Sequence, residues 1–314
     1  MQRRLAVLMD PIEHIKPYKD STFAMLLEAQ RRGYAVHVLT QDGLSMRDGD
    51  PWVKSRPVSV FDRREHWFEA GPPENADAAS FDFIFIRKDP PFDADYLYDT
   101  QILDRAEARG VRVVNRPSGL RDFNEKLATS WFPSVCPPTL VSRRSDELRA
   151  FVAEHQHCVA KVLDAMGGAS IFRVELGDPN TNVIIETLTQ DGRRAAMIQR
   201  YIPEIVDGDK RILMINGEPV DYALARIPAS GEFRGNLARG GSGRGQPLSE
   251  SDREICAVVG PELRRRGLWF VGLDVIGRYL TEVNVTSPTC IRELDEQFGL
   301  NIAGKLFEFL EERA

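Results

Sequence analysis

The sequence predicts an α/β chain in two parts, a parallel α/β domain over residues 1–122 and a larger α+β domain over 123–314. Three observations carry this reading. Through the first third, apolar runs at Leu5 to Met9, Tyr34 to Leu39, Phe81 to Ile86 and Val111 to Val114 alternate with amphipathic segments. Strands separated by crossover helices imply a mainly parallel sheet covered on both faces. Beyond about Phe123 short strands predominate, and Asn216-Gly217 between two apolar runs is a strong two-residue hairpin signal. Finally, Gly272 to Ile276 and Leu280 to Thr286 read as two apolar strands joined at Gly277, with Asp274, Glu282 and Asn284 set into them.

In the first part, Leu5 to Met9 is a buried strand. Lys19-Asp20-Ser21 opens a helix whose apolar residues Phe23, Leu26, Leu27 and Ala29 fall roughly on one face. Asp20 or Ser21 can cap its first turn, and Gly33 supplies a left-handed stop. A second helix is expected over Tyr96 to Arg109, ended by Gly110. Gln41 to Ser80, rich in Gly, Pro and charge, reads as an excursion with one or two short strands. In the second part, strands are expected at Val159 to Leu163, Val183 to Thr187, Ala195 to Ile202, Arg211 to Ile215 and Pro219 to Ile227. Helices are expected over Ser249 to Arg266, stopped by Gly267, and from Ile302 onward. Pro228 to Pro247 reads as a glycine- and arginine-rich loop.

Composition excludes several classes. With 42% hydrophobic and 28% charged residues the chain is ordinary globular protein. Its net charge is −6 and no Lys/Arg run exceeds Arg264 to Arg266, so it carries no nucleic-acid footprint. No stretch approaches the ~18 apolar residues of a membrane span. The N-terminal apolar run is too short for a signal-peptide core and lacks a small-residue cleavage site, so the expected location is the cytoplasm. Cys136, Cys158, Cys256 and Cys290 are scattered without a CxxC pair and suit reduced thiols. His155 and His157, with no further ligand near them, read as solvated loop rather than a metal site.

The chemistry-bearing residues are fewer. Period-2 geometry puts Glu282 and Asn284 on one strand face, about 6.6–6.8 Å apart. A hairpin through Gly277 can bring Asp274 beside them. Two carboxylates and an amide oxygen converging on one point suit a hard cation that keeps positions open for phosphates. The same pattern also describes the polar outer face of an antiparallel pair, and the spacing alone does not choose. Lys161 ends a strand ahead of Gly167-Gly168, which can turn backbone N–H groups toward an anion or simply form a turn. No GK[ST] or GxGxxG motif is present. Lys126 offers a second cation. Gln199-Arg200-Tyr201-Ile202 can read an adenine edge, and Asp209 suits a ribose hydroxyl. Arg226 ends a strand ahead of a loop with Arg234, Asn236 and six glycines, which suits a lid that orders over substrate.

These elements, in this order, resemble the ATP-grasp superfamily and within it bacterial-type glutathione synthetase. The resemblance rests on Met9-Asp10-Pro11, on Asp20 to Tyr34, on Arg87-Lys88-Asp89-Pro90-Pro91-Phe92-Asp93 and on Asn124-Glu125-Lys126. It continues through Met166 to Arg173, Asp207 to Arg211, Arg226-Ile227-Pro228, Arg234 to Ala238 and Glu282 to Glu293, and is weakest over 41–80. The implied fold is an N-terminal pre-ATP-grasp domain followed by an ATP-grasp domain with lobes of about 123–200 and 201–314. The implied reaction joins γ-glutamylcysteine to glycine with ATP, through an acyl phosphate. Lys126, Lys161, Gly167 and Gly168 then hold ATP phosphates; Gln199 to Ile202 line the adenine pocket; Asp209 and Lys210 contact nucleoside and phosphate. Asp274, Glu282 and Asn284 hold Mg²⁺, with Mn²⁺ as an alternative. Arg226, Arg234 and Asn236 act on the reacting groups, and Arg87, Arg226, Ser287 and Arg292 bind substrate. A homotetramer is also implied. The chain departs from the family's usual pattern at Val162 and Ala165, where Pro and Gly are common.

Overall fold

Strand β1 (Arg4–Leu8) is buried because helices cover both faces of the sheet it centres. Leu5 and Val7 face the core that holds Phe23 and Leu26, while Ala6 and Leu8 face that of Tyr96 and Leu103. The computed structural model describes residues 2–165, 167–229 and 242–312. Helix α1 (Ser21–Arg31) starts where Asp20 Oδ1 accepts from the Phe23 N–H at 2.7 Å, and Gly33 at φ +82° turns the chain into β2 (Ala35–Leu39).

The excursion is more ordered than expected. It contains β3 (Leu44–Arg47), β4 (Asp50–Val60), β5 (Phe68–Ala70) and β6 (Glu74–Asp77), all organised around the 11-residue β4. Strand β4 carries Pro51 and Pro57 because proline removes only a donor. The Pro57 carbonyl still accepts from the Gly71 N–H at 2.9 Å, and Pro51, Val53 and Ser55 are buried at period 2.

Strand β7 (Phe83–Ile86), helix α2 (Ala94–Ala108) and β8 (Arg112–Val114) complete the sheet, with parallel order β2-β1-β7-β8. Chain direction across the sheet reverses between β1 and β7, so a crevice opens beyond their carboxyl ends. Asp10 and Asp89 meet there, the Asp89 N–H donating to Asp10 Oδ2 at 2.9 Å.

Helix α3 (Pro117–Arg121) leads into a four-stranded antiparallel sheet, β11-β10-β12-β9, built from β9 (Thr139–Ser142), β10 (His157–Val162), β11 (Ile171–Glu175) and β12 (Ala196–Arg200). Helices α4 (Ser145–His155) and α5 (Thr181–Thr189) cover it. The strand expected at Val183 to Thr187 is therefore helical. Its β-branched run suggested extension, but Ile185, Leu188 and Thr189 are buried at helical spacing while Val183 is exposed.

A five-stranded antiparallel sheet follows, in the order β15-β14-β13-β16-β17. It comprises β13 (Asp209–Ile215), β14 (Glu218–Ile227), β15 (Ser242–Pro247), β16 (Phe270–Ile276) and β17 (Tyr279–Asn284), with α6 (Glu250–Arg266) across one face. Asn216 and Gly217, at φ +51° and +72°, form the expected hairpin turn. The loop expected over Pro228 to Pro247 is a strand from Ser242 onward, paired to β14. Its Gly245 is a packing requirement, since a Cβ there would lie 2.3 Å from the Phe298 ring. That ring belongs to α7 (Ile291–Phe298), which like α4 gave no clear sequence signal.

The last helix, α8 (Ile302–Glu311), returns to the first sheet, where Phe307 meets the Tyr34 ring edge-on at 5.6 Å. Asn115, just past β8, joins the two parts more directly. Its Nδ2 donates to the carbonyls of Phe270 (2.8 Å) and Val285 (2.7 Å), and its Oδ1 accepts from the Phe270 N–H (2.8 Å). Asn115→Ala strands one donor and two acceptors in a buried joint and should cost roughly 2–4 kcal/mol. Urea denaturation measures this; an unchanged midpoint would show that the joint carries no stability.

Candidate active site

The five-stranded sheet fixes the site through its register. Arg211 on β13 lies opposite Asp274 on β16, and Asp274 lies opposite Glu282 on β17. Asp209 is opposite Arg226 on β14, and Gly272 is opposite Asn284. Directly paired residues share a face, as do residues two apart, so all six polar side chains project from one surface. They line a cavity of about 520 Å³ that also takes its walls from the four-stranded sheet and from the crevice beyond β1 and β7.

The charges on this surface alternate. Asp274 accepts from Arg211 Nε at 2.5 Å and lies 2.9 Å from Arg226 Nη2, which also sits 2.5 Å from Asp209 Oδ2. Burial alone would raise the Asp274 pKa, but the two guanidinium groups override it and hold the carboxyl well below the usual range. Asp209 shares only one of those arginines. Burial and the neighbouring Asp274 charge push it up to about 6 against the pull of Arg226. Its Oδ1 is buried and has no hydrogen-bond partner.

Two lysines face this row. Lys126 Nζ donates to Glu282 Oε1 at 3.1 Å and to the Ala165 carbonyl. Lys161 Nζ donates to the Thr281 carbonyl at 3.2 Å, at a point where the β16–β17 register slips by one residue. Burial pulls Lys161 down to about 8, partly offset by Glu282. Gly167 and Gly168, both at positive φ, turn the chain along the same wall. Gln199, Arg200, Tyr201 and Ile202 line a slot with Ile205 and Ile276, although the Arg200 and Tyr201 N–H groups are committed to the carbonyls of Pro138 and His157.

Of the expected site residues, Lys126, Lys161, Gly167, Gly168, Gln199 to Ile202, Asp209, Arg226, Asp274, Glu282, Asn284 and Ser287 all line this cavity. Lys210 does not. As the residue between Asp209 and Arg211 it points to the opposite face, where its Nζ pairs with Asp252 of α6 and donates to the Gly277 carbonyl at 3.2 Å. Arg87 lies behind the wall, donating to Thr22 Oγ1 (3.1 Å) and the Pro288 carbonyl (2.8 Å), so it braces the loop after β17. Arg292 points outward to Asp62 at 2.7 Å. Arg234 and Asn236 lie outside the described residues. Sequence reading passed over Arg211, which the same period-2 rule that places Asp209 would have selected. It also gave no site role to Lys19, Asp20, Glu125 and Glu293, which the fold brings to the cavity.

Among the described residues, no three His, Cys, Asp or Glu side chains gather as a metal cluster. The two carboxylates and one amide of Asp274, Glu282 and Asn284 nonetheless form an all-oxygen donor set on one surface, which fits a hard divalent cation.

A cavity between two antiparallel sheets, with lysines on one wall and carboxylates on the other, defines an ATP-grasp ligase. The chain superposes on D-cycloserine synthetase DcsG (TM-score 0.68, 16% identity, 99% of each chain). It also superposes on the ATP-grasp ligase PsnB bound to a minimal precursor (TM-score 0.64, 17% identity, 100% of this chain and 99% of that one). At these identities the likeness concerns the fold. Family models narrow the class: residues 4–121 match the prokaryotic glutathione synthetase N-terminal domain and residues 125–299 its ATP-grasp domain. Relatives named glutathione synthetase are 58% identical in Xanthomonas campestris pv. campestris (99% of this chain, 98% of the relative) and 56% identical in Pseudomonas aeruginosa (98% and 97%). The chain belongs to the prokaryotic glutathione synthetase family and is an ATP-dependent ligase.

Lys210 and Arg211 should therefore separate cleanly under mutation. Lys210→Met leaves Asp252 buried without its cation and should cost about 3–5 kcal/mol, while nucleotide affinity of the folded protein stays within twofold. Calorimetric unfolding and nucleotide titration check both halves; a large loss of nucleotide affinity without loss of stability would return Lys210 to the site.

Proposed function

We propose that the chain joins γ-glutamylcysteine to glycine, converting ATP to ADP and phosphate, with Mg²⁺ held by Asp274, Glu282 and Asn284. One observation beyond family membership supports this most directly. The carboxylate–amide face of the five-stranded sheet opposes Lys126 and Lys161 across a cavity that reaches the crevice of the N-terminal sheet. Nucleotide and acyl substrate can thus meet at one point. The reading divides the chain near residue 122, with the first part supplying the crevice and the second the nucleotide slot.

In this reading Gln199 to Ile202 enclose adenine, and the unpartnered Asp209 Oδ1 accepts from a ribose hydroxyl. Lys126 and Lys161 neutralise phosphate oxygens. The cation, when bound, draws negative charge off the transferring phosphoryl group. Arg211 and Arg226 then share their hold on Asp274 with the acyl substrate and the reacting phosphate. The dipeptide's cysteinyl carboxylate oxygen attacks the γ-phosphorus, and the bond to the β-phosphate oxygen breaks to release ADP. The lone pair of glycine's free amine attacks the resulting acyl phosphate, the C–O bond breaks, and phosphate leaves as the amine loses a proton. Positioning and charge neutralisation suffice for both steps. A reducing compartment such as the cytoplasm suits the four free cysteines, and no helix of the described residues is long and apolar enough to cross a membrane. A homotetramer belongs to the same reading.

Phosphate release from ATP should require γ-glutamylcysteine and glycine together, and Glu282→Gln should remove most turnover with the thermal midpoint unchanged. Release supported by D-alanine pairs but not by γ-glutamylcysteine with glycine would overturn the substrate assignment. Near-normal turnover of Glu282→Gln at ordinary Mg²⁺ would move the metal elsewhere.

Lys161 gives a separate pH test. Its free-state pKa of about 8 lies below the ordinary 10.5, and phosphates favour the charged form. ATP binding at pH 8.5–9 should therefore take up a proton, and affinity should weaken as pH rises above about 8. Titration calorimetry in buffers of different ionisation enthalpy reads the uptake directly. A null result in that window would place the Lys161 ammonium away from the phosphates.

A further inference from the structure

Helix α7 begins beneath the site, and its first turn points Glu293 into the cavity that also holds Lys19. The Glu293 oxygen Oε2 is closed off from solvent and has no hydrogen-bond partner in the folded chain. A carboxylate oxygen in that state is costly unless a donor arrives with a ligand. The nearby charges acting on it are the cations Lys19, Arg211 and Arg292. Lys19 precedes α1 and lines the same cavity together with Lys16, Asp20 and Asp89, so groups of both signs stand on the wall that Glu293 joins.

We propose that Glu293 is a specificity-determining residue that accepts a hydrogen bond from the α-ammonium of the γ-glutamyl group, with Lys19 facing the adjoining α-carboxylate. This rests on the proposed dipeptide substrate and deepens it. A zwitterionic amino-acid end needs groups of both signs on the wall it meets, and Glu293 and Lys19 line one cavity. The alternative cationic partner, glycine, fits less well on chemical grounds. Its nitrogen must be a free amine to attack, and a carboxylate beside it would hold it protonated. The γ-glutamyl ammonium takes no part in bond making and can remain a permanent cation. Glu293 is therefore matched to the group whose charge persists throughout the reaction.

The test compares γ-glutamylcysteine with glutaryl-cysteine, the same molecule with hydrogen in place of the α-amino group, in wild type and Glu293→Gln. Wild type should favour γ-glutamylcysteine in kcat/KM by about 10- to 100-fold, the discrimination expected of one charge-assisted hydrogen bond. Glu293→Gln should erase most of that preference by losing activity on γ-glutamylcysteine alone, with the KM values for ATP and glycine unchanged. Equal loss on both acyl substrates, or a raised KM for glycine, would overturn the assignment. So would full retention of the preference. Glu293→Asp, which keeps the charge on a shorter stem, should retain part of the preference. Thermal melts of both variants identify any that simply fail to fold. If wild type turns over neither acyl substrate, the dipeptide reading itself fails, an outcome distinct from a failure at Glu293.

Discussion

Everything in the site depends on one buried row of alternating charge, in which Asp274 is held between Arg211 and Arg226 and Arg226 also reaches Asp209. Removing four charges from water is expensive, and each is tolerable only because its neighbour is of opposite sign and within hydrogen-bonding distance. The row exists only in the observed strand register. A slip of one residue at β13 would send Asp209 and Arg211 to the α6 face and bring Lys210 into the cavity. The pairing of Lys210 with Asp252, at the capped start of α6, opposes that slip from the other side. One strand is thus pinned by ionic contacts on both faces, and the positions of Glu282 and Asn284 follow from it through β16 and β17.

The N-terminal sheet enters the site by a different device. Its strand order reverses between β1 and β7, which opens a crevice without any specialised sequence. Arg87, at the end of β7, is buried and reaches the Pro288 carbonyl, tying that crevice to the loop that follows β17. Burial lowers its pKa to about 10, and the carboxylates of Asp20 and Asp89 work against that fall. An arginine that spans the two parts of the chain without lining the cavity fixes the crevice against the loop after β17. Asn115 makes a parallel connection deeper in the core. The crevice of the first sheet and the charged face of the five-stranded sheet are consequently tied together by buried hydrogen bonds.

How much of this was legible in the sequence varied with the range of the interaction that decides it. The parallel sheet, the Asn216-Gly217 turn and the cap at the start of α1 are local and were readable. So was the hairpin that brings Asp274 opposite Glu282. Failures occurred where tertiary packing overrode local preference. Val183-Ile184-Ile185 has strand propensity but becomes helical because one side of it can be buried against the four-stranded sheet. The excursion over 41–80 was expected to hold one or two short strands, but β4 runs through Pro51 and Pro57 because their carbonyls remain available as acceptors. Gly243 and Gly245 suggested a loop, but in β15 a Cβ at Gly245 would strike Phe298 of α7 and one at Gly243 would crowd Leu224 of β14. Lys210 was misassigned because a lysine beside a candidate ribose ligand is attractive chemically; the strand period, applied one residue further, favoured Arg211. Glu293 and Lys19 received no role, since only the fold brings them to one cavity.

The titratable groups suggest why so little acid–base machinery is present. Burial raises the thiols of Cys136, Cys158, Cys256 and Cys290, so the one that lines the cavity, Cys290, is a protonated packing group rather than a nucleophile. His14 is the only histidine on the cavity wall. What the site has instead is fixed charge at known separation: lysines on one wall, carboxylates and guanidinium groups on the other, and few polar atoms left without partners. Such an environment reorganises little when phosphoryl charge moves, and its electrostatic stabilisation is stronger where water is excluded. The unpartnered oxygens of Asp209 and Glu293 stand out against that background. Both are buried on the cavity wall, and at both the folded chain still lacks a donor.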